Sequence, residues 1–131
     1  MFFQDLFEQF SQKGHLCLPE GNLPFADKPW VEHQAFAGVA LKELISGRQT
    51  GGNFSYHLVR IKPNCKIGNH IHKAQLETHE VIAGNGMCIN NGVKMPYTPG
   101  VIAIIQPDLA HEVCASPEGL YLFAKFMPAL A

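Results

Sequence analysis

The chain has 131 residues, 47% of them apolar and 16% charged, with a formal net charge of −1. That length suits one domain with a real core. The composition excludes a disordered polypeptide, and the near-zero charge removes the electrostatic footprint of a nucleic-acid or anionic-membrane binder.

The N-terminus "MFFQDLFEQF" places Phe2, Phe3, Leu6, Phe7 and Phe10 at helical spacing, with Lys13 and Gly14 as a stop. The spacing predicts a short amphipathic helix packed on its own domain or on a partner subunit. Asp5 and Glu8 and the lack of a basic start argue against a signal peptide. No apolar run approaches the ~20 residues of a transmembrane helix. Residues 18–31 carry three prolines and read as an extended connector. "FAGVALKELISG" fits a strand or a helix equally well. Together, 1–50 reads as an N-terminal helix and arm, and 51–131 as a β-barrel, within one structural domain.

From residue 51 short strands alternate with turn residues. "NFSYHLVRI" precedes the turn "KPNCKIGN"; "LETHEVIA" leads to Gly84-Asn85-Gly86, read as a turn; Asn90-Asn91-Gly92 is a hairpin signal. "PGVIAII", "HEVCA" and "GLYLFAKFM" complete the set, and no helical pattern interrupts it. This texture predicts an all-β barrel or sandwich. Cys17, Cys65, Cys88 and Cys114 form no CxxC pair and read as buried reduced thiols of a cytoplasmic protein.

Three of the seven histidines fall within residues 70–79. On a strand, His70 and His72 share a face, as do Glu77, His79 and Val81 on the next. The odd separation of Glu77 from His72 requires a turn or bulge in "KAQL". His111 opens a later strand. Three neutral imidazoles and a carboxylate make a site suited to a divalent transition metal: Fe, Mn, Ni, Co or Zn. The competing reading is a set of solvated or hydrogen-bonded core side chains.

The stretch "NCKIGNHIHKAQLETHEVIAG" resembles the first motif of the cupin family, G-x5-H-x-H-x(3,4)-E-x6-G, with Asn64 at the opening glycine and Gly84 at the close. "PGVIAIIQPDLAHEV" resembles the second motif more loosely. Gly100 fits its first glycine, Gln106 and Asp108 replace its proline and second glycine, His111 takes the ligand position, and Ala115 replaces its final asparagine. The resemblance covers roughly residues 64–115. It implies a double-stranded β-helix with His70, His72, Glu77 and His111 as metal ligands.

Beyond the ligands, His79 is open to several readings: a fifth ligand, a replacement for Glu77, an acid/base group or a core histidine, with strand spacing favouring a place behind Glu77 over direct coordination. Glu80 should face away. Either Tyr56 or His57 should line the cavity, together with apolar residues for which alternation proposes Ile89, Val101, Ile104 and Phe123. His15 and His33 have no assignable partner. The expected function is a small metal-dependent enzyme, of oxygenase, lyase or isomerase type, acting on a small organic oxygen compound. The alternatives are a non-catalytic cupin that binds or senses a small molecule such as a sugar, and an accessory protein without metal. A homodimer is expected, with the N-terminal segment covering a strand edge.

Overall fold

The computed structural model describes residues 3–130, with side chains from residue 6 onward, so Phe2 and the side chain of Phe3 lie outside the described residues. Helix α1 (Phe3–Glu8) widens into a π-helical turn (Gln9–Lys13) and ends before Gly14. Ten strands follow: β1 (His15–Leu18), β2 (Gly21–Pro24), β3 (Trp30–Glu32), β4 (Val39–Ile45), β5 (Ser55–Ile61), β6 (Lys66–His70), β7 (Leu76–Asn90), β8 (Val93–Tyr97), β9 (Ile102–Ile105) and β10 (His111–Met127). Among the described residues, no helix is long and apolar enough to cross a membrane.

The architecture depends on two long strands that change sheets. The first half of β7 pairs with β9 and with the second half of β10, which continues to β5, β4 and β3. The other halves take different partners: residues 86–90 of β7 pair with β8 and with residues 111–115 at the start of β10, which also pairs with β6. Two antiparallel sheets therefore face each other and share β7 and β10 at the fold.

The register breaks between Ala115 and Leu120, where the strands bend. Gly84 adopts φ 71°, and a Cβ at Gly84 or Gly86 would collide with the carbonyl oxygen of Gly119 or of Cys114. These glycines therefore do not make the expected turn. They sit inside a continuous strand and let two backbones close on each other at the bend. The predicted hairpin at Asn91 (φ 50°) and Gly92 (φ 82°) does form, with Asn90 opposite Val93.

One core fills the space between the sheets, with Val59, Ile61, Tyr97, Val113, Leu120 and Leu122 among its buried members. A second lies on the outer face of the larger sheet. There Phe7, 2% exposed, packs on Tyr121 with ring centroids 4.8 Å apart, and Phe10 meets Phe123 edge-on at 5.0 Å. Burying Phe7 alone is worth roughly 1.5–3 kcal/mol. The N-terminal helix therefore covers its own sheet.

The expected connector is more ordered than its prolines indicated, since β1 and β2 form a hairpin and Trp30 begins β3. "FAGVALKELISG" resolves as β4. Both of its faces are covered, Lys42 and Leu44 by the N-terminal layer and Leu41 by the inter-sheet cavity, so no simple alternation marks it. The main sheet thus begins well before residue 51. Among the cysteines only Cys88 is buried; Cys65 and Cys114 are half-buried and Cys17 is exposed, and all four are free thiols.

Candidate metal centre

The polar cluster lies at one end of the space between the sheets. His70 closes β6, His72 lies in the loop after it, and His111 opens β10 directly opposite His70. The turn before His111 is held by Asp108 at φ 65°, a left-handed conformation that aspartate tolerates where the second motif has glycine. The Asp108 N–H donates to the His72 carbonyl at 3.0 Å, tying the His72 loop to the turn that delivers His111.

The ligating atoms of His70, His72 and His111 all lie within 4.8 Å of one another. The His70 Nδ1–H donates to the Gly68 carbonyl at 2.8 Å, and the His111 Nδ1–H to the Leu109 carbonyl at 3.2 Å. Those bonds fix the tautomer that leaves each Nε2 with a free lone pair. The Nε2 atoms of His70 and His72 are 3.1 Å apart. Two lone pairs at that distance repel unless a cation or a proton lies between them.

Glu77, 5% exposed, faces this trio from β7. Its Oε1 lies 3.5 Å from Nε2 of both His72 and His111, and it is buried without a hydrogen-bond partner. Its Oε2 accepts from the His79 Nε2–H at 2.5 Å. Nδ1 of His79, the other ring nitrogen, lies 2.8 Å from the Tyr97 hydroxyl and in the neutral ring accepts its proton. His79 is thus committed at both nitrogens. Tyr97, fully buried on β8, was not foreseen, because nothing in the sequence links β8 to β7 across the bend.

The electrostatics follow from burial and this wiring. Burial lowers the pKa of His70 and His72 and keeps both rings neutral. Burial also opposes charge on His111, but the Glu77 carboxylate 3.5 Å away outweighs that and raises its pKa. For Glu77, burial pushes upward, yet His79 and then His111 hold it well below the usual carboxylate range. The carboxylate is therefore ionised, buried, and satisfied on one oxygen only. An anionic oxygen facing three converging imidazole nitrogens is a donor set that fits a divalent transition metal.

The four expected ligands line a single cavity of about 200 Å³, walled mainly by Leu41, Val59, Ile67, Val113, Leu122 and Phe126. None of Ile89, Val101, Ile104 or Phe123 is among its lining residues. Inward positions on β10 are Leu122, Ala124 and Phe126, so Phe123 faces the N-terminal layer, and Ile104 is 57% exposed. The choice between Tyr56 and His57 falls to His57, which lines the outer mouth, while Tyr56 bonds Glu80 on the outer face. His33 also reaches the cavity mouth, a position that no local signal announced. His15 sits exposed on β1.

No family model matches the sequence, and no curated protein matches it. Solved structures do. The chain resembles a predicted oxalate decarboxylase from Thermotoga maritima (17% identity, TM-score 0.70, covering 77% of this chain and 91% of that one). It also resembles an RmlC-like cupin from Shewanella frigidimarina (18%, TM-score 0.69, covering 92% and 96%) and KdgF from a Halomonas species (16%, TM-score 0.66, covering 76% and 86%). The likeness establishes the expected fold: the chain folds as a cupin-type β-barrel.

Proposed function

With a cupin barrel as the frame, we propose that this chain holds one divalent transition metal through His70, His72, Glu77 and His111 and uses it on a small organic oxygen compound. The observation that carries this reading is the buried, unpartnered Oε1 of Glu77 among three converging imidazoles. A bound ion of this class supplies Lewis-acid polarisation of an oxygen substituent.

The chain's own residues do the rest. Gly68 and Leu109 carbonyls orient His70 and His111. Tyr97 and His79 hold a proton against Oε2 of Glu77, which aims Oε1 at the imidazoles. The aliphatic walls exclude water and strengthen electrostatic interactions inside. His79 acts in this reading as a positioning residue.

Solved structures of this fold include an ectoine synthase and the polyketide cyclase RemF, both named as catalysts, and this supports an enzyme. The engagement of both His79 nitrogens supports the second reading, a non-catalytic binding barrel, because it removes the clearest acid/base group from the cavity. Among the described residues β9 pairs only with β7, and Ile102 on it is 70% exposed, which supports a homodimer. A sedimentation mass of one chain at micromolar concentration would remove that part.

Metal content by plasma mass spectrometry, on protein purified without chelator or affinity tag, tests the central claim beside a His70→Ala/His72→Ala variant. Near-stoichiometric Fe, Mn, Ni, Co or Zn that vanishes in the variant is expected. No metal in either, even after anaerobic reconstitution, overturns the reading.

A further inference from the structure

The cavity has two adjoining compartments with different linings. The inner chamber combines the metal cluster with aliphatic walls, and among the described residues no lysine or arginine lines it. Through His33, Leu41 and Leu130 it opens into an outer vestibule of about 380 Å³. The vestibule adds Val31, Glu32, Gln34, Glu43 and His57, again with no lysine or arginine. Burial depresses the His57 pKa to about 4, so that ring is uncharged near neutrality.

The two carboxylates are unequal. Glu32 lies 3.9 Å from the Arg60 guanidinium, which stacks over Trp30. Glu43 shares its inward face of β4 with Leu41 and has no ion-pair partner among the described residues, although Lys28 and Arg48 border a separate depression on its other side. The inner end of the same cavity carries an independent mark of a ligand, the buried and unpartnered Oε1 of Glu77. A molecule lying along this axis would meet ligating groups first, then aliphatic walls, then a negative field.

We propose that the site takes a small molecule with an oxygen-bearing head, an apolar body and an amine tail placed against Glu43, and that it discriminates against carboxylate- or phosphate-bearing analogues. This rests on the metal reading above. Apolar cavities of about 150 Å³ hold a benzene-sized ring, so a single ring fits the inner chamber. An anionic tail would enter a vestibule with no lysine or arginine in its lining and would meet Glu43, which has no ion-pair partner among the described residues.

The test uses the cobalt(II)-loaded protein under anaerobic conditions, with binding read from the cobalt visible bands. Three probes share one chelating head: 3,4-dihydroxyphenethylamine, 4-ethylcatechol and 3-(3,4-dihydroxyphenyl)propionate. The amine should bind about tenfold tighter than the propionate at low salt, with ethylcatechol between, as expected for partly screened charges several ångströms apart. In Glu43→Gln, with an unchanged circular dichroism spectrum, the spread should shrink to about threefold or less. A propionate that binds as tightly as the amine, or a spread that survives Glu43→Gln, overturns the substrate class while leaving the metal reading intact. Failure to bind cobalt at all overturns both.

Discussion

Two buried polar sites in this molecule are built to opposite specifications. On the outer face of the larger sheet, Lys42 is 1% exposed and fully occupied: its ammonium donates to the carbonyls of Ser11 at 2.7 Å and Phe25 at 2.9 Å and lies 5.5 Å from the Trp30 ring. Between the sheets, Glu77 is 5% exposed, and one of its oxygens has nothing to accept from. The first site closes on itself and pins the N-terminal layer to β4. The second leaves a buried carboxylate oxygen without a partner, which is what the proposed cation would supply. A buried charge alone therefore does not mark function here. What marks it is a charge whose surroundings are organised yet unsatisfied.

Metal addition should separate the two sites most sharply. At a free metal concentration of 100 times Kd, bound ion stabilises a folded protein by about 2.7 kcal/mol. That upward shift in Tm should appear in wild type and in Lys42→Met, and be lost in His111→Ala. A metal-dependent shift that persists in His111→Ala would remove that residue from the site.

Lys42→Ala should break the closed site. It strands two buried carbonyls and opens space beneath the N-terminal layer, at a cost of about 2–3 kcal/mol. Metal affinity of the folded variant should not move. Chemical denaturation measures the first and competition with a chromogenic chelator the second; an equal loss in both would mean that the two regions are coupled.

The contrast also shows what the sequence could reveal. His70, His72 and Glu77 were legible from the spacing of one local motif and His111 from a second, looser one, and the structure brings all four together. The hairpin at Asn91-Gly92 was legible for the same reason. Parity failed where it had no anchor. Phe123 was assigned to the cavity one register away from Leu122 and Ala124, because two cores flank β10 and both of its faces are apolar. Gly84 and Gly86 signal tight backbone geometry, but a turn and a close approach inside one strand leave the same residues in the chain. Tyr97 and His33 reach the site only through pairings between distant strands, which no local pattern contains.

Acid should expose a second difference in how buried groups are served. His57 is 4% exposed, its Nε2 lies 2.9 Å from the Ser55 hydroxyl, and burial lowers its pKa from 6.5 to about 4. The unfolded chain takes up this proton below about 6.5 and the folded ring only near 4, so stability falls as pH drops through that window. The lowered values of His70 and His72 act in the same direction, while the raised His111 opposes them. Glu77, depressed by its partners, loses its contribution only in stronger acid, below about 4.5. Replacing the ring by His57→Leu should flatten the metal-free stability profile between pH 6.5 and 4, by on the order of 2 kcal/mol across the window. An unchanged slope would place the acid sensitivity in the metal cluster itself.

The smallest effect tests whether order around Glu77 extends past His79. Tyr97→Phe keeps the ring in the core and removes only the hydroxyl that donates to Nδ1 of His79. Without that donor, the ring can carry its proton on either nitrogen. In the wrong tautomer Nε2 no longer donates to Oε2 of Glu77, and the carboxylate is free to rotate. Supports of this kind are worth about 10- to 100-fold in metal affinity. The lower end, about tenfold, applies here because Tyr97 acts through one intermediary. His79→Leu, which removes the bond to Glu77 outright, should cost more, and His79→Gln, which retains an N–H within reach of Oε2, should recover part of the loss. Histidine nitrogen NMR reports the tautomer directly in metal-free protein. A His79 that keeps its Nε2 proton in Tyr97→Phe, with metal affinity unchanged, would end the network at His79 and leave Tyr97 as a packing residue.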